Sequence, residues 1–164
     1  MPRVYVSIGS NIDREKSIRG AVRALQELYG ALLLSKVYES AAQGFSGDNF
    51  YNLVAAFDTG ESVEQVKKNL AHIETRCGRK RETNRFSART LDLDLLLYDN
   101  VIRHDDHVDL PHPDIGQYAF VLKPLAEIAP NWRHPETGLS SAQMWQRFDT
   151  GEQKIWNVDF EFKA

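Results

Sequence analysis

The sequence predicts an α/β (α+β) fold, a ferredoxin-like βαββαβ sandwich whose central, mainly antiparallel sheet is flanked by helices. Two observations carry this. Apolar runs of strand character alternate in order with stretches of helical spacing, and turn residues separate them. No internal repeat, low-complexity tract or linker divides the 164 residues, and 42% apolar with 26% charged content is the composition of one globular domain, residues 1–164.

Val4 to Ile8 is a short strand stopped by Gly9, Ser10 and Asn11. Ile18, Ala21, Val22, Leu25 and Leu28 recur at helical spacing and predict a helix ending near Gly30. Leu32 to Tyr38 reads as a strand, and Ser40 to Asn49 as a polar loop. Phe50 to Asp58 completes a hairpin. Ser62 with Gln65 makes a capping box for a second helix, whose buried stripe is Val63, Val66, Leu70, Ile73 and Cys77 and whose end is Gly78. Leu91 to Tyr98 reads as a central strand. Tyr118 to Ile128 is helical around Pro124, although proline opposes a helix interior. Trp156, Val158, Phe160 and Phe162 alternate with polar residues and predict an added edge strand within a C-terminal extension, residues 150–164.

Composition narrows the function. Net charge is −3, so nothing global points to nucleic acid or an anionic membrane. Six basic residues (Arg76, Arg79, Lys80, Arg81, Arg85, Arg89) stand against Glu82 alone, a window of net +5 that leaves −8 for the rest. A local anion site explains that asymmetry; a solvated basic loop also accommodates it. Cys77, the one cysteine, cannot form an internal disulfide, and a reducing compartment fits. The start MPRVYVSIGSN lacks the pattern of a signal peptide, and no stretch reaches the roughly 18 apolar residues of a membrane span. A soluble, cytoplasmic protein is expected.

Asp92 and Asp94 interrupt the most apolar strand. Carboxylates buried there cost several kcal/mol unless a cation compensates them. Two positions apart on a strand, they share a face, with Leu91, Leu93 and Leu95 opposite. Such a pair favours a raised pKa in one member or a bound divalent cation, and oxygen ligands favour magnesium. Neutralisation by neighbouring arginines without metal is the alternative. Metal and arginine together suit a polyphosphate. Neither G-x-x-x-x-G-K-[ST] nor G-x-G-x-x-G occurs, which disfavours the common nucleotide folds.

The run R-x-x-x-R-F-x-x-R-T-L-D-L-D-L-L-L from Arg81 to Leu97 closely resembles the signature of the 6-hydroxymethyl-7,8-dihydropterin pyrophosphokinases of folate biosynthesis. S-I-G-S-N at 7–11, F-Y-N at 50–52, I-E-x-x-x-G-R at 73–79, L-P-H-P at 110–113 and F-V-L-K-P-L-A-E-I-A-P at 120–130 follow the same order. The resemblance implies attack of a pterin hydroxymethyl oxygen on the β-phosphorus of ATP, with AMP leaving. It implies two magnesium ions on Asp92 and Asp94, and Arg79 and Arg89 stabilising the phosphates. ATP would contact Glu74, Arg81, Arg85, Phe86, Leu95 and His112. The pterin would meet Gly44, Phe50, Asn52 and Phe120, the phenylalanines stacking on its ring. Loops around 9–13, 42–49 and 79–88 would close over the substrates. Expected partners are ATP and a hydroxymethyl-dihydropterin, with neither nucleic acid nor membrane, for a monomer or weak homodimer.

Two departures stand out. The loop Gly44 to Asn52 lacks the family's prolines and is shorter, and Tyr118 occupies a position where the family usually carries an arginine. They motivate an alternative, a divergent, weakly active or non-catalytic pterin- or nucleotide-binding paralogue. An RNA-binding reading of the basic run lacks the aromatic pattern that stacks bases. Bland readings exist for single residues: Phe50 and Phe120 as core, Asn52 ending a ladder, Glu74 paired with an arginine, His112 packed in a turn. His104, His107 and His134 lack metal-ligand spacing and read as surface residues.

Overall fold

The computed structural model describes residues 1–41, 49–77, 91–151 and 153–162. Strand β1 (Arg3–Ser10) leads into helix α1 (Arg14–Tyr29), then β2 (Leu33–Leu34), β3 (Val37–Ser40), β4 (Phe50–Asp58), α2 (Val63–Cys77) and β5 (Asp92–Tyr98). The small hairpin β6 (Arg103–His104) and β7 (Asp109–Leu110) follows, then a 3-10 turn at Pro113–Gly116, α3 (Ala119–Ile128), α4 (Ser141–Arg147) and β8 (Ile155–Val158). The main sheet runs β5-β1-β4-β3-β8 with β2 also on β4, and every pairing is antiparallel. The predicted βαββαβ order and its sheet are present.

Period-two alternation divides the sheet into two faces. Val4, Val6, Ile8, Leu53, Ala55, Phe57, Leu91, Leu93 and Leu95 pack with Ile18, Ala21, Leu25, Val66, Leu70 and Ile73 of α1 and α2. The other face carries Val54, Leu96 and Leu97 against Ile115, Val121, Leu122 and Leu125. Leu95 and Leu97 belong to different clusters because the β1–β5 register shifts between Tyr5 and Val6.

Several local expectations need correction. The apolar run containing Asp92 and Asp94 is a terminal strand of the sheet, not a central one. It reads as central because Leu93, Leu95, Leu96 and Leu97 of β5 are buried on the two faces, and its outer edge is met by the Glu74 side chain and the His112 backbone N–H. The run Leu32–Tyr38 is split in two. Ser35 makes the break: its N–H donates to Val54 C=O and its Oγ accepts Val54 N–H, both at 2.9 Å, so a side chain replaces a ladder carbonyl. Leu28 lies off the buried stripe of α1, and Gly30 does end that helix. Ser62 Oγ accepts Gln65 N–H at 3.1 Å, as its sequence context predicts; Gly78 lies outside the described residues. Pro124 sits within α3. The β6–β7 hairpin and α4 have too little periodicity to be read from sequence.

The predicted edge strand is β8, paired with β3. Val158, Phe160 and Phe162 pack on the α1 side, while Trp156 stays 42% exposed.

Candidate active site

On the sheet face that packs α3, the buried cluster includes Val54, Leu96 and Leu97 but neither Asn52 nor Asp94. One cross-strand row there reads Tyr38, Asn52, Gly9, Asp92, and Ser7 pairs with Asp94 beside it. Gly9 presents no side chain between Asn52 and Asp92, and this shallow floor opens a cavity of 240 Å³. Its walls are Ser7, Ser40, Phe50, Asn52, Asp92, Asp94, Asp114, Tyr118 and Phe120.

Asn52 is 3% exposed, and its Nδ2 donates to Ser40 Oγ at 3.1 Å. That bond fixes the amide, a buried polar group requiring a partner. Phe120 stacks on Tyr118 with centroids 5.0 Å apart and planes at 26°, and both rings are half-buried. Phe50 is half-buried too; both phenylalanines are cavity walls, and Phe120 also packs against the α3-side core.

A second cavity, 510 Å³, lies beyond the free edge of β5 and is lined by Lys67, Glu74, Asp92, Asp94, Leu95, His112 and the 105–110 hairpin. Among the described residues, Glu74 and His112 hold this edge. Glu74 Oε2 accepts Leu93 N–H at 2.8 Å, and His112 N–H donates to Leu96 C=O at 3.0 Å. Glu74 therefore anchors the backbone between the two aspartates. Lys67 Nζ donates to His107 C=O, tying the hairpin to α2. Asp105 accepts the N–H groups of His107 and Val108 at 2.9 Å each, and these with Arg103 hold its carboxyl down to about 2.

His112 Nδ1 accepts Asp114 N–H at 3.1 Å and caps the 3-10 turn. A neutral imidazole so engaged carries its proton on Nε2, a donor suited to an anionic oxygen. The Asp94 and Asp114 carboxylates and the His112 ring lie within 4.8 Å of one another, and with His112 engaged as above the two carboxylates are the ligand atoms of that group. With the half-buried Asp92 alongside, this oxygen-rich set fits magnesium. The expectation that both aspartates are buried does not hold: Asp94 is exposed and Asp92 half-buried, because their face of β5 borders the two cavities.

Asp92 and Asp94 line both cavities. Glu74, Leu95 and His112 line one, and Phe50, Asn52 and Phe120 the other. Leu95 is a wall by its position on the edge strand; it is 6% exposed and its side chain belongs to the α1/α2 core. Arg79, Arg81, Arg85, Phe86, Arg89 and Gly44 lie outside the described residues. Sequence reasoning missed Asp114, Gly9, Ser7 and Ser40. Asp114 carries a signal, two positions after His112 in a capping context; the other three owe their place to strand register.

Paired carboxylates thus lie between two cavities at one end of a ferredoxin-like sheet, an arrangement with room for two ligands about one acidic centre. A family model described as 7,8-dihydro-6-hydroxymethylpterin-pyrophosphokinase (HPPK) matches residues 5–130. The 2-amino-4-hydroxy-6-hydroxymethyldihydropteridine pyrophosphokinase of Aquifex aeolicus is 35% identical over 137 residues, 82% of this chain and 85% of that protein. The protein of the same name from Porphyromonas gingivalis is 35% identical over 142 residues, 83% and 96% of the two chains. The Folic acid synthesis protein FOL1 of Dictyostelium discoideum is 33% identical over 86% of this chain, which spans 22% of that longer protein. Among solved structures, a Plasmodium falciparum HPPK-DHPS superposes with a TM-score of 0.68 at 13% identity, over 89% of this chain and 44% of that one. At that identity the likeness shows the fold alone.

This chain belongs to the 7,8-dihydro-6-hydroxymethylpterin-pyrophosphokinase family. Membership supports pyrophosphoryl transfer from ATP to hydroxymethyldihydropterin, in folate biosynthesis, as its activity. Enzymes of this family use magnesium. No helix among the described residues is long and apolar enough to cross a membrane.

Proposed function

We propose that the Asn52 cavity holds the pterin, that the Glu74 and His112 cavity holds ATP, and that Asp92 and Asp94 work between them. One observation carries this reading: the two carboxylates line both cavities, so a group passing from one to the other passes them. The pterin ring lies against Phe50 and Phe120, with the Asn52 amide on its polar edge. Its hydroxymethyl oxygen forms a bond to the β-phosphorus of ATP as the bond from that phosphorus to the AMP oxygen breaks, and the hydroxyl proton is released. His112 donates from Nε2 to a phosphate oxygen, and Glu74 keeps β5 in place. Arg79 and Arg89 neutralise charge on the transferring and leaving groups, while Arg81, Arg85, Phe86 and Leu95 contact ATP and Gly44 the pterin.

Two magnesium ions held by Asp92 and Asp94 would offset phosphate charge and align the reacting oxygens. The donor set supports this role, and Asp114 stands near enough to contribute. Residues 1–164 act as one domain, with 150–164 as an extension, in a cytoplasmic monomer or weak homodimer.

The test is AMP formation from ATP, magnesium and hydroxymethyldihydropterin. Well-folded protein that forms no AMP overturns the reading. If it binds both ligands without turnover, the non-catalytic paralogue replaces it.

A further inference from the structure

The family match ends at residue 130, yet the chain returns to the site afterwards. Past α4 the backbone turns at Gly151, whose φ of 51° suits glycine, and Asp149 Oδ1 accepts Gly151 N–H at 3.0 Å. Strand β8 then fixes the chain to β3. Farther on, Glu161 C=O accepts Arg19 Nε–H at 2.8 Å, and Phe160 meets Tyr51 edge-on. Gln153 stands between the turn and the strand, so both of its flanks are anchored.

Its side chain spans two backbone groups 34 and 36 residues earlier. Gln153 Oε1 accepts Ala119 N–H at 2.8 Å, and Gln153 Nε2 donates to Gln117 C=O at 3.0 Å. Ala119 opens α3, and the first N–H groups of a helix have no acceptor within it. The residue before it normally supplies one through a short oxygen-bearing side chain. Tyr118 occupies that place and makes no such bond. An N-cap would serve the second or third N–H; Gln153 satisfies the first one, that of Ala119, from a distance.

The two bonds grip the peptide groups on either side of Tyr118, and Tyr118 stacks on Phe120. Both rings face the cavity that holds Asn52 and the aspartates. We propose that Gln153 is a positioning residue for substrate selection: it sets the Tyr118–Phe120 wall against which a flat heteroaromatic ring stacks. This rests on the assignment of that cavity to the pterin. An amide with one acceptor and one donor fixes both position and direction of the 117–119 backbone, so its loss is felt by the ligand that uses the wall. ATP, in the other cavity, does not depend on it.

The experiment measures binding of 6-hydroxymethylpterin and of a magnesium-loaded non-hydrolysable ATP analogue by calorimetry, with steady-state kinetics on the same full-length proteins. Gln153→Ala is expected to weaken pterin binding about three- to tenfold, equivalent to about one net hydrogen bond. Pterin KM rises in parallel, with kcat and the nucleotide affinity held within about twofold. Gln153→Glu keeps the acceptor for Ala119 but turns a carboxylate toward the Gln117 carbonyl, so it falls between the wild type and Gln153→Met, which keeps length without either bond. Unchanged pterin affinity in both Gln153→Ala and Gln153→Met overturns the proposal. So does equal weakening of both ligands, the mark of a merely structural residue. If Gln153→Ala does not fold, the ordering of the Glu and Met variants decides. Wild-type protein that binds no pterin overturns the functional reading and this proposal with it; an active wild type with insensitive variants overturns only the role of Gln153.

Discussion

Gly9 and Asn52 are partners across β1 and β4, and a β carbon on Gly9 would stand 2.6 Å from the Asn52 side-chain oxygen. The amide is fixed by Ser40, so it can retreat only by giving up that buried bond. Gly9→Ala is therefore expected to raise pterin KM about tenfold, one displaced buried hydrogen bond, with a smaller effect on ATP. Steady-state kinetics with each substrate varied checks this. Wild-type KM values would show that the amide does not read the pterin.

Asp94→Ala removes an exposed carboxylate from the wall common to both cavities. Turnover is expected to fall more than about a thousandfold, as for loss of a group acting on the transferring phosphate. Thermal stability should hold, since no buried packing is lost. AMP release and a melting curve measured on one preparation separate the two effects.

Glu74 covers the Leu93 N–H on the free edge of β5. Glu74→Ala leaves that donor unanswered and is expected to cost about 1–2 kcal/mol of stability, read as a lower urea midpoint. Glu74→Gln retains an acceptor and recovers most of it. An Ala variant as stable as wild type would mean that water satisfies this edge.

His104 couples the β6–β7 hairpin to the segment before α4. Its Nδ1 meets Asp109, and its Nε2 lies 3.0 Å from Glu136. These carboxylates, Asp109 first, raise the imidazole above its ordinary 6.5. A raised histidine stabilises the fold fully below its unfolded value and loses that contribution as pH rises through the folded one. The melting-temperature gap between wild type and His104→Gln is thus expected to be full below the ordinary histidine value of 6.5 and to shrink as pH rises above it. Salt should narrow it, because the site is open to solvent. A gap that is flat with pH would remove the ionic contribution.

Much of the fold was legible. The spacing of Ile18, Ala21, Val22 and Leu25 marked α1, and Phe50–Asp58 marked β4 to the residue. Alternation set Asp92 and Asp94 on the face opposite Leu93, where the structure has them. The position of β5 misled, because an edge strand with a covered face has the composition of an inner one. Of the site, Phe50, Asn52, Phe120, Glu74 and His112 came from the family pattern, and the structure distributes them between two cavities that no local pattern separates.

The sequence by itself determined the long helices and strands, which of their side chains share a face, and that two acids stand together on an extended segment. These follow from periods of two and 3.6 residues, which any short window contains. Tertiary structure alone decided that Gly9 lies between Asn52 and Asp92, that both acids border two cavities, and that Gln153 reaches Ala119. Those facts depend on register and on contacts across dozens of residues, where a single hydrogen bond leaves no trace in the surrounding sequence.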